Sequence, residues 1–312
     1  MSYYIGVDGG GTKTAYALFD ENKNILAEFK GPGSNHENLE TSFEGASDII
    51  IDGINSLCES AGIKPDNVSY TLMGLAGIDH PYQHDAMCEL LSKKGLNNFS
   101  IYNDGFLVIK AGSETGAAIG YNCGTGVCCN CVDSDGNMLQ LAGLGDFTGD
   151  FCGGAWIAQQ TFRAIYDDVF CLGEKTSMSK KAFDLFKLKN REDLFEILKV
   201  LESDEPDEYI RPLLDIFFEA ADEGDAQALK LVETMSDRGA LFISALAKQM
   251  NFEGDEIEVV LSGSVNVKLA NEKYISLLKE KAQARSPKKL CFKNIKCAPV
   301  TGCINWILQE FA

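Results

Sequence analysis

Three consecutive glycines, Gly9 to Gly11, separate two short apolar runs near the start of the chain, in the stretch IGVDGGGTKTAYALF (residues 5–19). The runs 4–8 and 14–19 have the length and composition of β-strands. We therefore interpret the stretch as a β-hairpin with a tight glycine turn. The glycines are expected to supply positive φ angles and to let backbone N–H groups approach an anion, so phosphate is a candidate ligand.

Two other glycine-rich phosphate-binding patterns fit this stretch less well. A P-loop has a lysine directly after its last glycine and then a helix, whereas here Thr12 takes that place and a strand-like run follows. The dinucleotide fingerprint requires a third glycine where Thr14 stands. From this stretch alone, an ordinary hairpin without a ligand remains an alternative.

Length and charge restrict the class of protein. A chain of 312 residues favours two lobes. The net charge of -18 argues against nucleic acids and anionic membranes as partners. No apolar run approaches the roughly 20 residues that cross a bilayer, and the first residues lack a signal-peptide core. We expect a cytoplasmic protein whose 11 cysteines are reduced.

The order of apolar runs and turn residues predicts an α/β fold with two lobes. The first part of the chain shows the order βββαβαβ followed by a helix, and a second glycine turn, Gly124 to Gly126, opens a similar set of strands. The two hairpins predict a cleft in which both lobes hold a phosphate. The expected segments are a first lobe at 1–115, a second lobe at 116–299 with a helical insertion at about 178–250, and a terminal helix at 300–312 that joins the first lobe.

Several short motifs resemble a known superfamily. The stretch 5–19 looks like the first phosphate hairpin of the sugar kinase, heat-shock chaperone and actin ATPases, 120–129 like the second hairpin, and 259–265 like the adenosine loop. GSNHEN, GLAG, NDG, CGTG and GLGDFTGDFCGGAWIA, in this order, are similar to the N-acetylglucosamine kinase-like members of the BadF/BadG/BcrA/BcrD ATPases. The resemblance implies two ribonuclease H-like lobes with mixed sheets (βββαβαβα) that flank an ATP cleft.

The resemblance also implies ATP and Mg²⁺. Asp8, at the end of the first strand, is expected to hold Mg²⁺ through water, because this ion needs only one or two protein ligands. The residues expected to contact the nucleotide are Gly10, Gly11, Thr12, Lys13 and Thr14 in the first hairpin, Gly124, Thr125 and Gly126 in the second, and Gly263 and Ser264 in the adenosine loop. For Lys13, a side chain that points to solvent remains an alternative.

Asp104 is the expected general base. It follows an apolar strand, where open α/β sheets place ligands, and it matches the family's catalytic aspartate in NDG. The expected sugar contacts are Asn35, His36, Asp104, Thr125, Gly143, Gly145 and Asp150. Helix capping remains an alternative for Asp104 and Asp150, and loop ordering for His36.

The predicted reaction is phosphorylation of an amino sugar, with the 6-hydroxyl of N-acetylglucosamine as the first choice. Two positions depart from the family pattern, since Leu144 replaces a usual tryptophan and Phe151 a usual acidic residue. Both lie in the expected sugar pocket, so N-acetylmuramate and glucosamine remain alternatives. The family also suggests a homodimer.

The cysteines Cys123, Cys128, Cys129 and Cys131 raise a different possibility. Some relatives are ATPase activators of dehydratases or reductases and carry an iron–sulfur cluster. However, Cys128 and Cys131 lie three apart on a strand and so face opposite sides, and no second C-x-x-C completes a zinc site. Buried apolar cysteines are the favoured interpretation, and the activator remains an alternative.

Overall fold

The fold consists of two five-stranded mixed sheets with helices around and between them. The computed structural model describes residues 2–203 and 207–311. Met1 and Ala312, at the ends of the predicted first lobe and terminal helix, lie outside the described residues, as does 204–206 within the predicted insertion.

The first sheet uses the strands before residue 103, and the second sheet those after residue 117. The strands of the first sheet are β1 (Tyr3–Gly9), β2 (Lys13–Asp20), β3 (Ile25–Pro32), β4 (Val68–Leu75) and β5 (Phe99–Tyr102). Those of the second sheet are β6 (Ala118–Cys123), β7 (Val127–Val132), β8 (Met138–Ala142), β9 (Glu256–Ser262) and β10 (Lys289–Asn294).

Ten α-helices lie within the described residues. They are α1 (Ser42–Ser60), α2 (Pro81–Lys93), α3 (Gly105–Gly112), α4 (Gly154–Val169), α5 (Ser177–Phe186), α6 (Leu194–Leu201), α7 (Asp207–Glu223), α8 (Ala226–Gln249), α9 (Glu272–Arg285) and α10 (Thr301–Glu310). A stretch of π-helix, Ser264–Leu269, follows β9.

The two sheets share one topology. The strand order is β3-β2-β1-β4-β5 in the first and β8-β7-β6-β9-β10 in the second. In each sheet the first three strands are antiparallel, because tight turns join them, and the last two run parallel to the first strand. The predicted α/β fold with two βββαβαβα sets is therefore confirmed. The lobe limits at 115/116 and 299/300 stay predictions.

Local sequence explains the first long helix. Ala46, Ile50, Ile54 and Leu57 recur at helical spacing in α1 and are all buried against the first sheet. The helix ends at Ser60, and Gly62 shortly after it has a φ of +68°, the left-handed conformation that often follows a helix C-terminus.

A third layer of helices joins the two sheets. The helices α3 and α10 lie between them and share a core with residues of both, such as Leu72 of β4 and Val260 of β9. Trp306 of α10 is 1% exposed, and its ring stacks on Tyr102 at a centroid distance of 3.9 Å. The helix α10 therefore packs on the first sheet, although the two are far apart in the sequence.

None of the helices within residues 2–203 and 207–311 has both the length and the apolar composition of a membrane-spanning segment.

We expect Trp306→Ala to lower the free energy of unfolding by about 3–5 kcal/mol, because it leaves a cavity in the core between the sheets. Tyr82→Ala is the control, since Tyr82 is 64% exposed, and it should change stability by about 0.5 kcal/mol or less. Urea denaturation followed by circular dichroism measures both. Equal small effects would contradict a central role for α10.

Candidate active site

The glycine turn between β1 and β2 is closed by a hydrogen bond from the Gly10 N–H to the Lys13 carbonyl at 3.0 Å. The prediction of positive φ angles in this turn is wrong, because the φ angles of Gly9, Gly10 and Gly11 all lie outside the left-handed region. The need for glycine here is spatial. A Cβ atom on Gly9 would lie 2.4 Å from the Ser34 Oγ.

The residues after the turn divide between its exposed tip and the core. Thr12 and Lys13 are exposed at the tip. Thr14 is fully buried, and its hydroxyl donates to the Pro32 carbonyl at 2.8 Å and lies 2.9 Å from the Ser34 Oγ. The Thr14 side chain thus holds the hairpin to the loop after β3, whereas Thr12 and Lys13 are free to face a ligand.

The loop after β3 is fastened to this hairpin. The backbone N–H groups of Ser34 and Asn35 donate to the Gly10 carbonyl at 3.0 and 3.3 Å. The Asn35 Oδ1 accepts from the Glu37 N–H at 3.0 Å and so caps a short helical turn. The predicted sugar loop and the predicted phosphate loop are therefore adjacent.

His36 is buried beside this loop with one unused polar atom. Its ring stacks on Phe43 at 3.9 Å, and its Nδ1 has no hydrogen-bond partner among the described residues. Burial lowers the pKa of His36, which keeps the ring neutral at neutral pH. Loop ordering and ligand contact are both compatible with this placement.

The parallel strands bring carboxylates to one edge of the first sheet. Asp8 is the second-last residue of β1, Asp79 follows β4, and Asp104 follows β5. Gly74 of β4 lies opposite Asp8, and a Cβ atom on Gly74 would lie 3.1 Å from the Asp104 Cα. The glycine between the two carboxylates permits this close approach.

All three carboxylates have raised pKa values, and burial is the largest cause for each. Burial, and then the neighbouring carboxylates of Asp8 and Asp79, raises the pKa of Asp104 to about 7. Burial raises the pKa of Asp8 to about 6, against the attraction of the Lys13 ammonium. Asp104 stands at the start of α3, but its side chain makes no capping hydrogen bond.

Asp8 also fits a magnesium ion. Its carboxylate has no side-chain hydrogen bond among the described residues, and oxygen ligands suit this hard cation. Within 2–203 and 207–311, no group of three or more His, Cys, Asp or Glu side chains forms a metal-binding cluster. A site with one protein carboxylate is compatible with Mg²⁺, which takes its other ligands from water and phosphate.

The second hairpin, between β6 and β7, is fixed to the start of α4. The Gly124 N–H donates to the Gly126 carbonyl at 2.9 Å and closes the turn. The Gly154 and Ala155 N–H groups donate to the carbonyls of Gly124 and Thr125 at 2.7 and 3.1 Å. Thr125 and Gly126 remain exposed at the tip.

The turn after β9 lies against this hairpin. Gly263 has a φ of +87°, and a Cβ atom there would lie 2.2 Å from the Cys123 carbonyl oxygen. A Cβ atom on Gly124 would lie 3.9 Å from the Ser264 nitrogen. The structure thus brings the predicted adenosine loop beside the second predicted phosphate loop.

Asp150 organises the loop after β8. Its Oδ2 accepts backbone N–H groups from Gly143 at 2.9 Å, from Leu144 and from Gly145 at 2.6 Å. Its Oδ1 is buried without a partner among the described residues. Asp150 does not cap the following helix, because the N-cap residue of α4 is Gly153.

A cavity of about 490 Å³ lies beside Asp150 and the second hairpin. Among its described lining residues, those that ionise are Asp150 and Glu202, and both are acidic. The apolar side chains of the lining come from α4, α6, α7 and the loop before α4, namely Phe151, Ala155, Trp156, Ala158, Phe162, Leu198, Leu201 and Ile210.

The structure confirms that the cysteine side chains of β7 alternate between the two faces of the sheet. Cys129 and Cys131 are fully buried in the core of the second sheet, whereas Cys128 faces the other side and donates to the Asn130 Oδ1 at 2.6 Å. Cys123 is also buried, and its thiol donates to the Cys152 carbonyl at 3.3 Å. All are free thiols.

Sequence reasoning missed Asp79 and Gln140. The Asp79 Oδ1 accepts from the Asn103 Nδ2 at 2.9 Å and from the Gln140 Nε2 at 2.8 Å. The sequence did carry a signal for Asp79, namely an acidic residue soon after a strand. Asp8 and Asp104 also lie at or just after the C-terminal ends of strands in the same sheet. Gln140 carries no such signal, since its contact joins residues of different sheets.

Each of the two sheets begins with a hairpin that turns at glycines, and the two sheets share one topology. The profile of the BadF/BadG/BcrA/BcrD ATPase family matches residues 5–290. The chain belongs to this family. Its predicted membership, and the prediction of an enzyme that uses ATP, are thereby confirmed.

The individual proteins that the chain resembles share low sequence identity with it. The chain is 25% identical over 268 residues to an N-acetylmuramic acid/N-acetylglucosamine kinase of Clostridium acetobutylicum, covering 85% of this chain and 86% of that protein. It is 27% identical over 202 residues to an N-acetyl-D-glucosamine kinase of Dictyostelium discoideum, covering 61% and 62%. The fold resembles that of a candidate N-acetylglucosamine kinase of Chromobacterium violaceum, with a TM-score of 0.71, 20% identity and 99% of each chain covered.

The raised pKa of Asp104 makes stability depend on pH. An acid whose folded pKa is raised from 3.8 to about 7 stabilises the fold at low pH, and this contribution is lost as the pH rises through about 7. We expect Asp104→Asn, without metal or nucleotide, to raise the Tm more at about pH 8 than at about pH 5.5. The exposed Asp66 provides the control Asp66→Asn. Thermal unfolding that shows the same change at both pH values would contradict the burial argument.

Proposed function

We propose that the chain is an ATP- and Mg²⁺-dependent kinase that transfers the γ-phosphoryl group of ATP to an amino sugar, with the 6-hydroxyl of N-acetylglucosamine as the acceptor. The observation that carries the proposal is the position of the half-buried Asp104 carboxylate beside Asp8, at the sheet edge where the turn of the first hairpin also lies. A general base works best when its pKa lies near the working pH, and a pKa of about 7 meets that condition.

In this mechanism Asp104 accepts the proton of the attacking hydroxyl. Phosphoryl transfer depends mainly on positioning and on stabilisation of charge, so the remaining groups bind and orient. The backbone N–H group of Gly11, with Thr12 and Lys13, binds the terminal phosphates from one side, and Thr125 and Gly126 bind them from the other. The Gly10 N–H, which was also predicted to bind phosphate, instead closes the turn. Gly263 and Ser264 border the adenosine.

Asp8 holds the magnesium ion, which supplies positive charge that offsets the charge of the phosphates. Burial raises the pKa of Asp8, and the Lys13 ammonium offsets this only in part. Bound Mg²⁺ would keep this carboxylate ionised at neutral pH.

The sugar is held by groups that have unused hydrogen-bonding capacity. The Asp150 Oδ1 and the His36 Nδ1 are buried without partners among the described residues. The Asn35 amide can donate as well as accept, which suits hydroxyl groups. The loop at Gly143 to Gly145, held open by Asp150, lines the same region.

The cavity beside Asp150 favours an uncharged substituent. Its apolar side chains suit the methyl group of an N-acetyl substituent, and its two acidic residues repel a carboxylate. N-acetylmuramate carries a carboxylate, so N-acetylglucosamine is the better substrate on this argument. Glucosamine remains the alternative, because its ammonium would be attracted by the same acidic residues.

ADP release with Mg·ATP and a panel of N-acetylglucosamine, N-acetylmuramate, glucosamine, N-acetylmannosamine and glucose tests the proposal. We expect the highest kcat/KM for N-acetylglucosamine and a lower value for N-acetylmuramate. Asp104→Asn should lower kcat by about a hundredfold or more while ATP binding is retained. The exposed Asp66→Asn should leave kcat unchanged.

Sugar-independent ATP hydrolysis with no stimulation by any sugar would contradict the kinase. Iron and a brown colour in protein purified without air would then favour the second candidate, an ATPase activator with an iron–sulfur cluster. The half-exposed Cys128 and the exposed Cys171 and Cys297 would be the first cysteines to replace.

The metal role of Asp8 has its own test. We expect Asp8→Ala to weaken the binding of Mg·ATP by about tenfold to a hundredfold, because the variant removes the carboxylate that holds the ion. Isothermal titration calorimetry with and without Mg²⁺ measures this, and Asp66→Ala is the control. An Mg·ATP affinity equal to that of the parent protein would contradict the role.

The cytoplasmic location and the homodimer stay predictions. So do the two lobes at 1–115 and 116–299, whose closure around substrates would exclude water from the reaction.

A further inference from the structure

One carboxylate oxygen joins the two sheets beside the proposed base. The Asp79 Oδ1 accepts the amide N–H of Asn103, which precedes Asp104 in the first sheet's last loop, at 2.9 Å. The same oxygen accepts the amide N–H of Gln140, on β8 of the second sheet, at 2.8 Å. Both N···O distances are typical of hydrogen bonds, and the two donors are a buried residue, Asn103, and a half-buried one, Gln140.

Asp79 is itself held in place from α2. The buried Gln83 Oε1 accepts the backbone N–H groups of Asp79 and His80 at 2.9 and 2.8 Å. Pro81 begins the helix one residue later and fixes the direction in which the chain leaves the sheet. The carboxylate is therefore presented by a rigid segment rather than by a free loop.

Asn103 transmits this restraint to the start of α3. Its Oδ1 accepts the Gly105 N–H at 2.9 Å, so the amide spans the backbone on both sides of Asp104. The same oxygen accepts from the Asn130 Nδ2 of the second sheet at 3.3 Å. Because its amide nitrogen and its amide oxygen are both hydrogen-bonded, the Asn103 side chain is held in one orientation. The backbone of Asp104 lies between Asn103 and Gly105 and is restrained with it.

We propose that Asp79 is a positioning residue that locks the Asn103 loop to the second sheet through Gln140, and thereby holds the Asp104 carboxylate toward the acceptor hydroxyl when the cleft is closed. The proposal rests on the role proposed above for Asp104. It assigns to Asp79 no contact with substrate.

The charge of Asp79 adds a second effect. Asp8 on β1 and Asp79 after β4 are the carboxylates that raise the pKa of Asp104, and Cys128 on β7 faces the same group. Lys13 on β2 acts on Asp8. Burial raises the pKa of Asp79 itself, and the charge of Glu37 adds to this, whereas the hydrogen bond from Gln140 and the charges of His80 and His36 act in the opposite direction.

Two variants of Asp79 separate bonding from charge. Asp79→Asn keeps an oxygen that can accept both amide bonds but removes the charge. We expect its kcat to stay within a few-fold, and the acid limb of its kcat/KM profile to move to lower pH, because the pKa of Asp104 falls. Asp79→Ala removes both bonds, and its kcat should fall on the order of 100-fold with an ATP KM near that of the parent.

Gln140→Leu leaves the bond between Asn103 and Asp79 in place and removes the arm from the second sheet, together with the 3.4 Å bond from the Gln140 Nε2 to the Gly143 carbonyl. We expect a smaller loss of kcat than in Asp79→Ala and no shift of the pH profile, because the charge is retained. Asp85→Asn, an exposed acidic residue on α2, is the control for a general charge effect and should change neither quantity.

Hydrogen–deuterium exchange tests the lock independently of activity. In Asp79→Ala, amides of 99–112 and 138–145 should exchange faster than in the parent, and in Gln140→Leu those of 138–145. If exchange rises but the parent protein transfers no phosphoryl group to sugar, the lock stands and the kinase proposal fails. Unchanged exchange together with parental kcat and pH profile in Asp79→Ala would overturn the inference.

Discussion

The crowding of three carboxylates at one edge of the first sheet is the constraint on which the rest of the site depends. Burial raises the pKa of Asp8 to about 6, and burial together with the charges of Asp8 and Asp79 raises the pKa of Asp104 to about 7, so the folded protein holds protons that the separate groups would release. Amide donors satisfy Asp79, and Lys13 lies near Asp8. The remaining negative charge favours a cation, and a magnesium nucleotide brings one.

Glycine makes this crowding possible in a way that no larger residue could. Gly74 lies between the strands that end in Asp8 and Asp104, and a side chain there would collide with α3 as well as with the backbone of Asp104. In the second sheet, Gly263 lets the turn after β9 approach the second hairpin to a distance that excludes a Cβ atom. Close packing explains Gly9 and Gly74, positive φ angles explain Gly143 and Gly145 in the loop of Asp150, and Gly263 has both features.

Local patterns predicted much of the fold, because they report local structure. The two glycine hairpins, the buried stripe of α1 and the strand that ends before Asp104 all lie within single segments, and the repeated order βββαβαβα follows from them. The bond between Asp79 and Gln140 joins residues 61 apart, so it depends on which strand edges meet, and no single segment reports that. The orientation of Asp150, with one oxygen on three backbone N–H groups and the other free, is set by the path of a loop, which residue types alone do not determine.

The most direct test of the account is to identify the phosphorylated product. The protein would be incubated with Mg·ATP and N-acetylglucosamine, and the mixture followed by phosphorus NMR with proton coupling. The account predicts a phosphate monoester coupled to the two protons of C6, formed in equal amount with ADP. Inorganic phosphate as the only new signal, at the same rate with and without the sugar, would contradict it.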